Sequence, residues 1–176
     1  MKLLLLSGNS IRNKDWIEQV EPVMRPFFDE SKIHYYKHWS TGAEFIDMEF
    51  EAQKVAEEVK DWSDYFVFAK SIGGVLTLKG IYEKTLRPIK CLFVGAAIFE
   101  GGESNFPVAK WVEGYSTPTL FIQKTADPVV SFNDLKNYLG TKDLKNYSLK
   151  EIPGDNHSYD DLEYLKEEMT EFIKGS

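Results

Sequence analysis

Cysteine is almost absent from this chain, with Cys91 the only one in 176 residues. A disulfide framework within one chain is excluded, so stability has to come from a hydrophobic core. Cys91 lies in the apolar run Ile89-Lys-Cys-Leu-Phe-Val94, where a small buried hydrophobe is expected rather than a reactive thiol. Long hydrophobic runs are also lacking, since none approaches the roughly 18 residues that suggest a membrane span. Met1-Lys-Leu-Leu-Leu-Leu6 is too short for a signal-peptide core and is followed at once by Ser7-Gly-Asn-Ser10, so it reads as a buried first strand. A soluble, cytoplasmic protein is expected, with no membrane partner. Basic residues are the minority, 21 against 28 acidic ones, and the net charge of -7 is spread along the sequence. That leaves no electrostatic footprint for a phosphate backbone and excludes nucleic acid as a partner. His34 and His38 stand without cysteine or acidic residues at metal-ligand spacing, so structural roles are expected for them and no metal or other cofactor. The Gly-x-Gly-x-x-Gly and Gly-Lys-Ser/Thr signatures are missing, which leaves Ser7-Gly-Asn-Ser10 only a remote claim to cradle the phosphate of a flavodoxin-like nucleotide binder.

What is present has a βαβ rhythm. Apolar runs bounded by turn residues recur at Lys2–Leu6, Ile33–Trp39, Tyr65–Ala69, Ile89–Ala96, Thr117–Gln123 and Tyr147–Ile152. Near-continuous apolar strands such as Leu3–Leu6 imply burial on both faces, the condition of a parallel sheet covered by helices. Helix-period stripes separate several of them: Trp16, Val20, Val23 and Phe27, interrupted by Pro22; then Ala52, Val55, Ala56, Val59 and Trp62; and finally Leu162, Leu165, Met169 and Phe172. Further helices are expected over Ile72–Tyr82 and Ser131–Tyr138. The long connection from Ala97 to Ser116 is expected to hold a small helix at Val108–Val112. A hydrophobic content of 43% over 176 residues makes one domain, residues 1–176, able to bury about two-thirds of its unfolded surface.

One junction carries chemistry. Tyr65-Phe-Val-Phe-Ala-Lys-Ser71-Ile-Gly73-Gly74 runs as an apolar strand, stops at a serine and resumes as a helix. A serine on so sharp a turn projects its hydroxyl above the sheet, provided that the residues two before and two after are small. Here they are Ala69 and Gly73, with alanine where the usual pattern has glycine. Serine is equally a common helix cap, and the motif alone does not choose between the two readings. A base and an orienting acid must also reach the hydroxyl. His157 lies in Ile152-Pro-Gly-Asp-Asn-His-Ser-Tyr159, after the last expected strand, and Asp127 in Gln123-Lys-Thr-Ala-Asp-Pro-Val-Val130, after the strand before it. In isolation each would be ordinary loop or turn chemistry. Together, Ser71, Asp127 and His157 follow three different parallel strands, which places all three at one sheet edge, in the order Ser, Asp, His.

With these residues the chain resembles the α/β-hydrolase superfamily, and within it the small lidless serine hydrolases of the retinoblastoma-binding type. The resemblance spans nearly the whole chain and rests on Ser7-Gly-Asn9, the Trp16 helix, the elbow at Ser71, Asp127-Pro-Val129 and Gly154-Asp-Asn-His157-Ser-Tyr159. It implies Ser71 as nucleophile, His157 as base and Asp127 as the acid that orients it. The implied oxyanion donors are the backbone N–H groups of Ile72 and Asn9, with Ser10 a near alternative to Asn9. Glu100 is a second, less favoured acid. Lys70 stands where relatives often carry histidine, and either alters the local electrostatics or points to solvent.

The expected architecture is a three-layer α/β/α sandwich around a six-stranded parallel sheet, ordered 2-1-3-4-5-6, a minimal α/β-hydrolase fold. The expected function is hydrolysis of a small ester-type substrate, a carboxylic ester or else a thioester or amide, through an acyl-enzyme on Ser71. Phe99, Phe106, Trp111 and Tyr115 of the long connection are assigned to the acyl pocket. The partner implied is a small acyl substrate, with a protein partner left open. The rival reading is a hydrolase-like fold that serves as an idle binding or interaction module.

Overall fold

The computed structural model describes residues 1–99, 106–142 and 144–175. Six parallel strands form one sheet: β1 (Lys2–Leu6), β2 (Glu30–Ile33), β3 (Tyr65–Lys70), β4 (Lys90–Val94), β5 (Thr119–Lys124) and β6 (Tyr147–Ile152). Their order is β2-β1-β3-β4-β5-β6, as expected. Each crossover is helical, through α1 (Arg12–Met24), α2 (His38–Thr41), α3 (Met48–Val59), α4 (Ile72–Tyr82), α5 (Val108–Val112) and α6 (Phe132–Gly140), and α7 (Leu162–Lys174) closes the described chain.

The strands' side-chain period of two builds two cores, one on each face of the sheet. Leu4, Leu6, Val67, Ala69, Phe93 and Phe121 face α3, α4, α5 and α6. Leu3, Leu5, Phe66, Phe68, Leu92 and Ile122 face α1 and α7, against Trp16, Ile17, Val20, Leu165 and Met169. Three helix starts follow side-chain chemistry. Asp47, Ser131 and Asp161 accept the backbone N–H groups of Phe50, Asp134 and Tyr164, which caps α3, α6 and α7.

Two expectations need correction. The second strand is Glu30–Ile33 rather than Ile33–Trp39. As an edge strand it pairs only with β1, so it needs no apolar run, and the aromatic residues beyond it belong to a loop and to α2. In α1 the buried stripe is Trp16, Ile17, Val20 and Met24, whereas Val23 is half-buried and Phe27 is exposed. Pro22 stays inside the helix, and the chain tightens into a 3₁₀ turn over Arg25–Phe27 that redirects it. Phe28 then packs against Phe66 in place of Phe27.

Candidate active site

Ser71 ends β3 with φ 52° and ψ -119°, a backbone region that costs a non-glycine residue about 1–3 kcal/mol. Its surroundings hold it there. The Ser71 N–H donates to the Val94 carbonyl at 3.1 Å, and its own carbonyl accepts from the Gly74 N–H at 3.0 Å. The helix that follows rests on the loop after β1. A Cβ added at Gly73 would stand 2.8 Å from the Ser7 carbonyl oxygen and 2.9 Å from the Leu6 carbonyl carbon, closer than packed atoms approach. Ala69, fully buried, sits in register between Leu6 and Phe93. The small residues at both positions therefore let the backbones pass, and the turn is a strained elbow rather than a plain helix cap: the Ser71 side chain accepts no capping hydrogen bond.

Asp127 and His157 meet at the same edge. The carboxylate of Asp127, 3% exposed, contacts His157 Nδ1 at 2.9 and 2.8 Å through its two oxygens. Oδ1 also accepts the Val129 N–H at 2.9 Å, and Oδ2 accepts the Tyr159 hydroxyl at 2.8 Å. Burial alone would raise the acid's pKa, but the imidazole and these two donors outweigh it and hold the carboxyl below its ordinary value. An ionised carboxylate can only accept, so Nδ1 carries the imidazole hydrogen and Nε2 of the neutral ring is a bare lone pair. That Nε2 is buried and has no hydrogen-bond partner among the described residues. The ring lies over the end of β4: a Cβ at Gly95, which has φ +54°, would be 3.1 Å from His157 Cε1. Gly95 follows Val94, the residue that holds the Ser71 N–H. Asp127 and His157 are thus joined at the edge where β3, β4 and β5 end, the edge that also carries Ser71, and no hydrogen bond between Ser71 and His157 is found among the described residues. Glu100, the alternative acid, lies outside the described residues.

Lys70 points inward. Pleat alternation puts it on the face of Phe66 and Phe68, where it is 5% exposed. Its Nζ donates to Asn13 Oδ1 at 2.8 Å and lies 4.5 Å from the Trp16 ring centroid. Burial pushes this ammonium down to about 8, while Asp160 and Asp127 pull it the other way. Between about 8 and the unfolded lysine value of about 10.4, the unfolded chain binds a proton that the folded chain does not. Stability should therefore rise with pH in that window. Urea unfolding is expected to show wild type gaining on a Lys70→Met variant over this range. A difference that stays constant with pH would show that Lys70 titrates normally.

The backbone N–H groups expected as oxyanion donors are free to donate. No acceptor among the described residues meets the N–H of Ile72, Asn9 or Ser10, and Ile72 opens α4, whose positive end lies at the elbow. The Asn9 side chain is already engaged, with Oδ1 accepting the Ile46 N–H at 2.9 Å and Nδ2 donating to the Glu44 carbonyl at 2.8 Å.

The residues assigned to an acyl pocket part company. Phe106 stacks on Trp111 at 6.1 Å, and both line an open groove of about 570 Å³ with Ile46, Met48 and Lys79. Phe99 is half-buried against the core. Tyr115 lies at the other end of the sheet: its hydroxyl bonds Thr119 Oγ1, and Thr119 pairs with Cys91 near the amino ends of β5 and β4. None of Ser71, Ile72, Asn9, Asp127 and His157 lines the groove of Phe106 and Trp111, and a long connection can pass from one sheet edge to the other, so its sequence does not tell where each aromatic ends.

Tyr159, in sequence only the end of a loop motif, links Asp127 to β5 and α1. Its hydroxyl donates to Asp127 and accepts the Lys124 N–H at 3.1 Å, while its carbonyl accepts Trp16 Nε1–H at 3.0 Å. Gln123, wholly buried, bonds the Ala96 N–H and the Val130 carbonyl, and so joins the loops after β4 and β5. A glutamine ending an apolar strand was the only signal for it.

Solved structures of similar shape are numerous. Est1E from Butyrivibrio proteoclasticus with ferulic acid bound aligns at a TM-score of 0.69 and 16% identity, covering 98% of this chain and 89% of that one. One of the metagenome-derived lipolytic enzymes LipS and LipT aligns at 0.75 and 13%, covering 99% and 94%. The chain has the α/β-hydrolase fold. RedJ, a thioesterase from the prodiginine biosynthetic pathway of Streptomyces coelicolor, matches at 0.70 and 12%, covering 98% and 90%. No protein-family model matches the chain, and no curated protein sequence matches it. Among the described residues no helix is long and apolar enough to cross a membrane, and no group of three or more His, Cys, Asp and Glu side chains is arranged to hold a metal ion.

Proposed function

We propose that the protein is a serine hydrolase that cleaves a small carboxylic ester through an acyl-enzyme on Ser71. The observation that supports this reading is the contact of His157 Nδ1 with the buried carboxylate of Asp127, which leaves Nε2 without a partner among the described residues, beside a serine that ends β3 in a strained backbone region. In the forward step Ser71 Oγ bonds the carbonyl carbon while its proton passes to Nε2. The negative charge that forms on the carbonyl oxygen is met by the N–H groups of Ile72 and Asn9. Collapse breaks the bond to the alkoxy leaving group, which departs with the Nε2 proton. Water then repeats the sequence on the acyl-enzyme, giving its proton to Nε2, and Ser71 is restored as the acid leaves.

Esterases, lipolytic enzymes and a thioesterase among the structural neighbours support hydrolysis of an ester-type bond. The resemblance to the small retinoblastoma-binding type rests on the motifs around Asn9, Ser71, Asp127 and His157. Phe106 and Trp111 are the pocket residues retained in this proposal.

A fluorophosphonate probe tests it directly. Wild type is expected to be labelled and Ser71→Ala not at all, with p-nitrophenyl acetate turned over only by wild type. Folded wild type that neither labels nor hydrolyses would leave the fold to a binding module.

A further inference from the structure

We infer that Tyr36, His38 and Trp39, which follow the edge strand, are positioning residues that preorganise the Asn9 N–H as an oxyanion donor, an inference that rests on the serine hydrolase reading. Each holds the loop after β1 by a hydrogen bond to a backbone carbonyl. The Tyr36 hydroxyl donates to the Ser7 carbonyl at 2.8 Å. His38 Nε2 and Trp39 Nε1 both donate to the Asn9 carbonyl, at 2.7 and 2.8 Å.

The consequence follows from peptide planarity. The Ser7 carbonyl belongs to the peptide unit joining Ser7 to Gly8, and the Asn9 carbonyl to the unit joining Asn9 to Ser10. Pinning a carbonyl oxygen fixes the plane of its whole unit. The Gly8–Asn9 unit, which carries the Asn9 N–H, lies between these two pinned planes, and that N–H has no acceptor among the described residues. Such a donor is held in place and kept unspent. An oxyanion donor works best in this state, because no reorganisation is then needed as charge develops.

The grip is built from buried parts. Tyr36 is 2% exposed and His38 6%; their rings stack at 5.6 Å, and Trp39 meets Tyr36 edge-on at 5.0 Å. Two donors converging on one carbonyl use both of its lone pairs. Because that carbonyl can only accept, His38 carries its hydrogen on Nε2, which leaves Nδ1 buried without a partner among the described residues. An orphaned nitrogen in a stacked aromatic cluster is a cost that packing alone does not explain, since a leucine would fill the same space without it. The donor from Nε2 to Asn9 is what the histidine supplies.

The test is steady-state hydrolysis of p-nitrophenyl acetate by wild type, Tyr36→Phe, His38→Leu, Trp39→Phe and His38→Gln, with thermal melting to show that each is folded. The first three substitutions remove a donor and should lower kcat about 10- to 100-fold, below the loss expected on deleting an oxyanion donor outright, with KM within about twofold of wild type. His38→Gln places an amide N–H where Nε2 stood and should recover kcat to within about threefold of wild type. Should His38→Leu fail to fold, Trp39→Phe, which keeps an aromatic ring at a half-buried position, reads the same donor loss. Folded variants that keep wild-type kcat, or that raise KM at constant kcat, would overturn the inference and leave the hydrolase reading intact. Inert wild type would overturn both.

Discussion

An Asp127→Asn variant is expected to fold and to lose about four orders of magnitude in kcat, the size of effect that an orienting carboxylate has in a serine-histidine-aspartate triad. The carboxylate accepts from three donors, His157 Nδ1, the Val129 N–H and the Tyr159 hydroxyl. An amide has only one accepting oxygen. The Val129 N–H, which can only donate, holds that oxygen at the Oδ1 position, so the NH₂ group takes the Oδ2 position, facing His157 Nδ1 and a Tyr159 hydroxyl that can accept instead. Nδ1 must then accept, so the imidazole hydrogen moves to Nε2, where it blocks uptake of the Ser71 proton. Shape and volume barely change, so circular dichroism and melting temperature should stay near wild type while p-nitrophenyl ester turnover collapses. A loss below about tenfold would mean that Asp127 does not orient the base.

The second large effect is on stability. His34, 2% exposed, is held between Glu51 Oε2 on Nε2 and Glu58 Oε2 on Nδ1, each at 2.9 Å, and Glu51 is 1% exposed. Glu51 Oε1 also accepts the Lys37 N–H at 2.8 Å, so the cluster anchors the start of the segment that carries Tyr36, His38 and Trp39. Removing one partner of a buried pair leaves the other charge uncompensated. His34→Ala should cost about 3–5 kcal/mol, out of a typical total of about 5–15. Burial by itself would lower the imidazole's pKa, but hydrogen bonds to Glu51 and Glu58 outweigh it and raise the value above 6.5. A raised histidine pKa contributes stability that is fully present below the unfolded value and is lost as pH rises through the folded one. Urea unfolding should therefore show a large gap between wild type and variant at pH 6 that narrows at alkaline pH. A gap independent of pH would mean that the imidazolium is not the stabilising species.

Much of this molecule was legible in the order of its residues. Strands buried on both faces have to be apolar throughout, so β1, β3 and β4 were visible. The edge strand Glu30–Ile33 is half-exposed and carries no such pattern, while the aromatic residues after it imitate one. The partners of His34 were not legible: Glu51 and Glu58 lie 17 and 24 residues from it, at a spacing that no motif marks. Lys70 shows the same limit. Its residue type favours solvent, and only the alternation from Phe66 and Phe68, with Trp16 covering that face, sends it inward.

By itself the sequence determined the alternation of strands and helices and the three loops that carry Ser71, Asp127 and His157. These follow from local periodicity and turn chemistry, which act over a few residues. Only the tertiary structure decided the direction of Lys70, the placing of Tyr115 at the far end of the sheet, the third donor that Tyr159 gives Asp127, and the grip of Tyr36, His38 and Trp39 on the loop of Asn9. Each depends on groups brought together across tens of residues, where hydrogen-bond geometry and burial, rather than residue order, select the partner.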